Sequence, residues 1–309
     1  MNNKIDIPMI VPERIQLETV FACNARCTMC PVHDPSDRKH GIMTFETFKS
    51  VIDQLDVYKE KISKVDLWGL GEPLMDKNLP EKIRYAKQKG FQGLAIATNA
   101  ELLTEEKAIQ LFEAGLDTII FSIDGVHKET HEGIRIGLTF EVVIENAGQA
   151  IRLRNNGDYD TKFVFRFIRQ NVNRSEWEQF REYWGERISL DRGDIIIGYD
   201  VHTWGGEIEN LGQPTNMPVI PDEVVCHHLF DRLMILYDGT VPMCCSDMHH
   251  AKHSFGNVQD ASPIEVFNSK RANGFRSLHE AGKRNQMKIC EECTILESEE
   301  AEEVEAWAN

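Results

Sequence analysis

Long apolar stretches and positive charge are both scarce in this chain. No apolar run approaches the roughly 20 residues that a membrane-spanning helix needs, and residues 1–6 lack the apolar block of a secretory signal. The 34 Lys and Arg residues are outnumbered by 50 Asp and Glu residues, for a net charge of −16, which argues against a broad electrostatic grip on nucleic acid. No internal repeat and no low-complexity linker interrupts the sequence. We therefore expect a cytoplasmic protein that binds neither a membrane nor nucleic acid.

Cysteine, by contrast, is plentiful. Eight cysteines in a chain without a secretory signal argue for metal or redox chemistry rather than for disulfides. Cys23, Cys27 and Cys30 form a C-x₃-C-x₂-C cluster, and the next cysteine is Cys226. A structural zinc site normally closes with four ligands, whereas three thiolates on a four-iron cluster leave one iron open. The cluster therefore favours an iron–sulfur centre that binds a further molecule; a zinc site or a chance grouping is the alternative.

At these residues the chain resembles the radical SAM family. The family's C-x₃-C-x-Φ-C motif maps onto Cys23, Cys27 and Cys30, with Met29 at position Φ, where an aromatic is commoner. The resemblance implies a [4Fe-4S] cluster whose open iron chelates S-adenosylmethionine (SAM). It implies an enzyme that reductively cleaves SAM and abstracts a hydrogen atom from a substrate carbon, the cofactor carrying the chemistry. It also implies an electron donor such as flavodoxin or ferredoxin.

A glycine-rich stretch, Trp68-Gly69-Leu70-Gly71-Glu72-Pro73, ends the second predicted strand. Its two glycines allow a ligand to approach the backbone closely, and Glu72 can meet a cationic amine. The stretch is similar to the family's Gly-Gly-Glu-Pro element, which holds the amino group of SAM. The resemblance therefore implies cofactor contacts by Gly69, Gly71 and Glu72; the alternative is an ordinary turn.

Polar residues also follow the third and fourth predicted strands, where they suit ribose hydroxyls and the methionine carboxylate but are also ordinary turn residues. They are Thr98, Asn99, Ser122 and Asp124. Arg135 ends a segment that looks like the family's His-x₃-Arg element, and Arg166 lies inside an apolar strand. Either arginine can pair with the SAM carboxylate or belong to a structural ion pair.

The first two-thirds of the chain alternates strand-like and helix-like segments, which predicts βα units on a parallel sheet. The predicted strands cover residues 15–21, 65–70, 93–98, 118–123, 163–168 and 194–202. Predicted helices lie near 44–55, 80–89, 104–114 and 140–154, and Ser175 and Glu178 predict a capping box that opens another. Six such units predict an α/β fold of the partial (β/α)₆ TIM-like barrel type, with its chemistry at the C-terminal ends of the strands.

A Pro-containing loop near 205–222 marks the expected domain boundary. We assign residues 1–210 to a radical SAM partial barrel and residues 211–309 to a small auxiliary cluster domain with an acidic C-terminal tail. Five cysteines lie in this second part. Asp238-Gly239, the adjacent pair Cys244-Cys245 and the closing Cys290-x₂-Cys293 resemble the SPASM domain or its shorter "twitch" form.

The resemblance implies one auxiliary [4Fe-4S] cluster. Its expected ligands are Cys226, Cys244, Cys290 and Cys293; a structural zinc site with the same ligands is the competitor. Cys245 remains unassigned beside a ligand, either as a buried packing residue or as a catalytic hydrogen-atom donor. We read most histidines of this region as surface or supporting residues.

The adjacent cysteine pair favours epimerisation, with Cys245 as the hydrogen-atom donor. The alternative reaction is dehydrogenation of an alcohol through the auxiliary cluster. The short stretch before residue 13 leaves no room for a leader-peptide-binding domain. This favours a small polar substrate, such as a sugar or an aminocyclitol, over a ribosomal peptide. A non-catalytic iron–sulfur or zinc scaffold is the alternative outside enzymes.

Overall fold

The computed structural model describes residues 9–206 and 220–295, together with the backbone of a strand over 302–304. The strands are β1 (Arg14–Leu17), β2 (Val20–Phe21), β3 (Arg26–Cys27), β4 (Gly41–Ile42), β5 (Lys64–Asp66), β6 (Leu94–Thr98), β7 (Thr118–Ser122), β8 (Arg135–Ile136), β9 (Lys162–Arg169), β10 (Ile195–Asp200), β11 (Arg232–Ile235), β12 (Thr240–Val241), β13 (Gly256–Asn257) and β14 (Glu302–Val304). The α-helices are α1 (Phe45–Leu55), α2 (Leu79–Gln88), α3 (Glu105–Glu113), α4 (Lys128–Ile134), α5 (Phe140–Asn156), α6 (Trp177–Gly185), α7 (His228–Asp231), α8 (Pro263–Phe267), α9 (Lys270–Glu280) and α10 (Lys288–Glu291).

The main sheet has the strand order β11-β1-β5-β6-β7-β9-β10-β14. Its first seven members pair in parallel, and β14 joins the β10 edge in antiparallel orientation. Each of the six predicted strands contributes a strand to this sheet in chain order, which confirms the α/β fold of the partial-barrel type. The first, predicted to run to Phe21, ends at Leu17, because Val20 and Phe21 pair with β4 in a separate sheet. The seventh parallel strand, β11, comes from the region beyond residue 210 and extends the sheet past β1. Three of its four residues are buried, so burial of an apolar strand explains the addition.

Side chains alternate across each strand, so one face of the sheet packs under helices while the other faces the barrel interior. On β9, Phe165 stacks against Trp184 of α6 with ring centroids 4.0 Å apart. The next residue, Arg166, lines an interior cavity. This alternation explains how an arginine sits inside an otherwise apolar strand.

One predicted helix start is confirmed and another is wrong. The Thr44 side chain accepts a hydrogen bond from the Thr47 amide and caps α1. The predicted capping box at Ser175 does not form, because α6 begins later, at Trp177, after a 3-10 turn, and no side chain caps it. The carboxylate of Glu176 instead accepts the amide of Val126 at 2.7 Å, beyond the end of β7. Glu178, the second member of the predicted box, pairs with Arg181 at 3.0 Å.

Two short antiparallel pairs shape the C-terminal edge of the barrel. β2 pairs with β4, and β3 pairs with β8, so the cysteine loop of residues 23–30 is held just before its first cysteine and again in its middle. In the described parts of the chain, no helix is long and apolar enough to cross a lipid bilayer.

Candidate active site

The three N-terminal thiols lie at the C-terminal edge of the sheet and line one large cavity of about 760 Å³. The Cys30 amide donates to the Cys27 carbonyl at 3.1 Å, and the Thr28 amide donates to the Ile134 carbonyl at 2.9 Å, so the loop is held by its own backbone and by α4. Burial raises the pKa of Cys23 and of Cys30 to about 12. Thiols of this kind become thiolates when a metal supplies the compensating charge.

The spacing of the sulfur atoms bears on the kind of metal centre. Sulfur ligands of one zinc lie about 2.3 Å from the metal, and so within roughly 4.6 Å of one another. Among the described residues, His227, His228 and Asp231 alone bring three ligand atoms within 4.8 Å of one another; neither cysteine set does. In each cysteine set, at least one pair of sulfur atoms is therefore farther apart than 4.8 Å in any grouping of three.

Polar groups lie against the first set of thiols. The Arg135 guanidinium donates to the Cys27 sulfur at 3.7 Å, and the Asn99 amide nitrogen lies 3.9 Å from the Cys23 sulfur. Burial raises the pKa of Cys27, and the Arg135 charge opposes that rise. Among the described residues, one further cysteine lines this cavity, Cys245 from the C-terminal part of the chain.

Glu72 is a buried carboxylate in the wall of the same cavity, 2% exposed. It accepts the Thr98 hydroxyl at 2.7 Å, the Asn99 amide at 2.8 Å and the Leu74 amide at 3.0 Å. Burial raises its pKa, and these three donors oppose the rise. The structure therefore brings together three of the predicted cofactor residues and leaves a buried acid without a cationic side chain bonded to it.

The two predicted glycines are explained first by packing. A Cβ on Gly71 would lie 2.4 Å from the Val20 carbonyl oxygen and 2.5 Å from that of Ala22. A Cβ on Gly69 would lie 2.6 Å from the Glu18 side chain. Gly71 therefore lets the stretch before Glu72 press against the backbone that leads into the cysteine loop.

The two candidate arginines have different partners. Arg135 forms an ion pair with Asp124 at 2.7 Å. Arg166 donates to the Ser122 hydroxyl at 2.6 Å and lies over the Trp68 ring at 5.5 Å, and its buried Nε has no hydrogen-bond partner. No carboxylate of the described residues pairs with Arg166, and burial, with the nearby Arg135 charge, lowers its pKa to about 10. Arg166 is therefore the arginine placed to receive an anionic group from the cavity.

All five C-terminal cysteines line a second, smaller cavity. Cys245 also lines the large cavity, together with the N-terminal thiols. Hydrogen bonding between the Cys244 and Cys245 thiols raises the pKa of Cys244 and lowers that of Cys245. Among the described cysteines, Cys245 is the one that lines both cavities.

Contacts between distant segments of the chain connect the walls of the two cavities. The Trp204 indole donates to the Met29 carbonyl in the cysteine loop at 2.8 Å. A Cβ on Gly205, which has a φ of +65°, would lie 2.6 Å from Ile289. The stretch after β10 therefore contacts both the cysteine loop and the region of α10.

Sequence reasoning missed several residues of this site. Gln16 points inward from β1 and lines the large cavity. A polar residue within an otherwise apolar strand was the signal that could have predicted this. Arg38, which pairs with buried Glu18, and Arg284, which lines the smaller cavity, carry no local signal. His227, read from sequence as a surface or supporting residue, hydrogen-bonds Asp231 at 2.8 Å.

Comparisons with family models cover most of the chain. A model of the radical SAM superfamily matches residues 17–183. A model of an iron–sulfur cluster-binding domain, SPASM, matches residues 226–294. The two matched ranges contain the two cysteine sets.

Two relatives differ in how much of the chain they match. The chain is 21% identical to the tungsten-containing aldehyde ferredoxin oxidoreductase cofactor-modifying protein of Pyrococcus furiosus, over 96% of this chain and 92% of that protein. It is 31% identical to the Fe-coproporphyrin III synthase of Methanosarcina barkeri, over 40% of this chain and 35% of that protein. The second match therefore spans about a third of that relative's length.

Solved structures share the fold. BtrN in complex with AdoMet (SAM) and 2-DOIA matches with a TM-score of 0.62 at 18% identity, covering 92% of this chain and 93% of that chain. anSMEcpe with bound AdoMet matches with a TM-score of 0.64 at 19% identity, covering 92% and 89% of the two chains.

Proposed function

This chain belongs to the radical SAM superfamily, and on that premise we propose that it epimerises a small polar molecule, of the sugar or aminocyclitol type, with Cys245 as hydrogen-atom donor. As a family member it is a radical SAM enzyme with a SAM-binding [4Fe-4S] cluster and an auxiliary [4Fe-4S] cluster. The proposal is carried by the position of Cys245, whose side chain lines both cavities.

Cys23, Cys27 and Cys30 would hold the SAM-binding cluster, because they line one cavity and thiolate sulfur is a donor that iron–sulfur clusters prefer. When bound, the cluster and SAM together supply hydrogen-atom abstraction from an unactivated C–H bond. Arg135 and Asn99 lie within 4 Å of two of these sulfur atoms and help to offset their negative charge.

Glu72 and Arg166 would orient SAM through its charged ends. Glu72 is buried and has no cationic partner among its bonded groups, so an ammonium group in the cavity would offset its charge. Arg166 lacks a carboxylate partner, so a carboxylate would offset its charge, with Ser122 as a second donor. The cavity of about 760 Å³ extends along the strands as far as Arg14 and Ile195, which leaves room for a substrate.

Cys226, Cys244, Cys290 and Cys293 would hold the auxiliary cluster and leave Cys245 free. On the substrate carbon from which hydrogen has been removed, Cys245 forms a new C–H bond as its own S–H bond breaks. One electron and one proton then restore the thiol, so turnover depends on an external reductant. Delivery from the face opposite to abstraction inverts the carbon.

The test is isotope incorporation with the reconstituted enzyme in D₂O and a panel of sugars and aminocyclitols. We expect the wild type to place solvent deuterium on the inverted carbon, because a thiol proton exchanges with solvent. Cys245→Ala should still convert SAM to 5′-deoxyadenosine with unchanged iron and sulfide content, but should form no inverted product. Cys245→Ser, which preserves size, should behave in the same way because an O–H bond is a poorer hydrogen-atom donor.

Dehydrogenation of an alcohol is the second candidate, because four other thiols suffice to close an auxiliary cluster that can accept one electron. If Cys245→Ala forms an oxidised product at an unchanged rate, the donor role is eliminated and dehydrogenation takes its place. Modification of a ribosomal peptide is distinguished by the substrate on which deuterium label is found.

A further inference from the structure

Arg284 is a buried cation with an incomplete set of partners. It is 2% exposed and lies in a 3-10 turn just before α10. One of its terminal nitrogens donates to the Cys290 carbonyl at 2.7 Å; the other, Nη1, is buried and has no hydrogen-bond partner. Among the described residues, no carboxylate lies within ion-pair distance of Arg284.

Its position is specific to the auxiliary cavity. Arg284 is the one arginine or lysine among the described residues that line this cavity. His279, another lining residue, accepts the Cys226 amide through Nδ1. Arg284 therefore places a guanidinium charge in the wall of this cavity.

Burying a cation without a counter-charge is unfavourable, so an anion is expected opposite the guanidinium. The thiols in the same cavity are the available source. Arg284 donates to the backbone carbonyl of Cys290, one of the four expected cluster ligands, and lines the same cavity as the other three. A [4Fe-4S] cluster held by four thiolates is anionic and gains one further negative charge on reduction.

We propose that Arg284 is the buried counter-ion of the auxiliary cluster and holds its reduction potential above the value that the thiolate set alone would give. A fixed positive charge stabilises the reduced cluster more than the oxidised one, because the reduced cluster is the more negative. Arg284 thereby affects one-electron transfer through the cluster and does not itself contact the substrate. This role holds whichever reaction the enzyme performs.

The test is a potentiometric titration of the reconstituted full-length enzyme, followed by electron paramagnetic resonance, with the auxiliary [4Fe-4S] couple resolved from the SAM-binding couple. Arg284→Gln retains a donor for the Cys290 carbonyl but removes the charge. We expect its auxiliary midpoint potential to shift to a more negative value, with the SAM-binding couple unchanged. Arg284→Lys, which keeps the charge, should recover most of the shift.

Lys288→Gln is the matched control, because it removes one positive charge two residues from Cys290 where the side chain is 83% exposed. Solvent should screen that charge, so no shift is expected. An auxiliary midpoint in Arg284→Gln equal to that of the wild type, at full cluster content, overturns the proposal. Loss of the auxiliary cluster in Arg284→Gln but not in Arg284→Lys supports a requirement for the charge, whereas loss in both variants overturns it.

Discussion

Two arginines that are equal candidates in the sequence differ in the fold. Arg135 is neutralised by Asp124, whereas Arg166 has a hydroxyl and an aromatic ring as its neighbours. The distinction depends on which acid the fold places beside each guanidinium. Arg135 also donates to the Cys27 sulfur in the cysteine loop. Arg166 has no carboxylate partner among the described residues and can bind an anion that enters the cavity.

At the residue scale, Glu72→Gln should weaken SAM binding. The variant keeps a carbonyl oxygen for the Thr98 and Leu74 donors, which share Oε1, but it replaces the Oε2 acceptor of the Asn99 amide and removes the charge that an ammonium group would meet. A hydrogen bond to a charged group contributes about 1.5–3 kcal/mol, so we expect the Kd for SAM to rise by tenfold or more in equilibrium dialysis.

Glu101→Gln is the control for this prediction. Glu101 accepts the Asn24 amide at 2.9 Å near the cysteine loop but does not line the large cavity. Its variant should bind SAM as the wild type does. Equal Kd values for the Glu72 and Glu101 variants would contradict the proposed role of Glu72.

At the scale of elements, the segment after β5 and the segment after β2 press together at a glycine. The Glu72 amide donates to the Ala22 carbonyl at 2.9 Å, and the backbone around Val20 and Ala22 occupies the space where a side chain on Gly71 would lie. The glycine therefore sets the position of the cysteine loop relative to Glu72. Backbone atoms cannot rotate away as a flexible side chain can.

Gly71→Ala should displace the cysteine loop. We expect a lower iron content at the SAM-binding site and a lower Tm, because the added methyl would lie under 3 Å from backbone atoms of Val20 and Ala22. The measurements are iron and sulfide analysis and thermal unfolding after anaerobic reconstitution.

Gly133→Ala is the same substitution at an uncrowded position. No heavy atom lies within 4 Å of the added Cβ, and alanine favours helix α4 by about 1 kcal/mol over glycine. This variant should keep its cluster and unfold at an equal or higher temperature. A Gly71 variant that matches it in both measurements would show that the close approach is dispensable.

At the scale of the whole molecule, the C-terminal part is built into the barrel. β11 pairs with β1 along four residues, and Arg38 joins distant segments by pairing with buried Glu18 and donating to the Met248 carbonyl. The Arg38 guanidinium also lies 4.0 Å from the centre of the Phe21 ring. These contacts place Cys245 against the same cavity as the N-terminal thiols.

Arg38→Met should destabilise the whole molecule. It leaves the Glu18 carboxylate, whose side chain is 0% exposed, without its cationic partner. Removing one member of a buried pair costs about 3–5 kcal/mol, which urea unfolding can measure.

Lys49→Met is the control, because the Lys49–Asp53 pair is exposed on α1. Exposed pairs contribute little, so its unfolding midpoint should stay close to that of the wild type. If the Arg38 variant unfolds at the same urea concentration as this control, the pair between Arg38 and Glu18 does not hold the two parts together.

The sequence by itself determined the elements and the donor set. Apolar residues alternate along a strand because successive side chains point to opposite faces of the sheet. This pattern is visible in short stretches of sequence, so the six strands of the partial barrel could be predicted. The spacing of Cys23, Cys27 and Cys30 brings three thiols into one loop in any fold, and the family motif follows from that stretch alone. A local pattern also failed: Ser175 and Glu178 have the spacing of a capping box, but α6 begins at Trp177 and Glu178 pairs with Arg181.

Only the tertiary structure decided what these groups face. The pairing of β11 with β1, the partners of Arg135 and Arg166, and the position of Cys245 between two cavities join residues far apart in the chain. No short sequence pattern records such contacts, because burial and charge compensation are properties of the packed molecule. Arg284 shows the same limit, since its environment as a buried cation beside thiols exists only once the chain has folded.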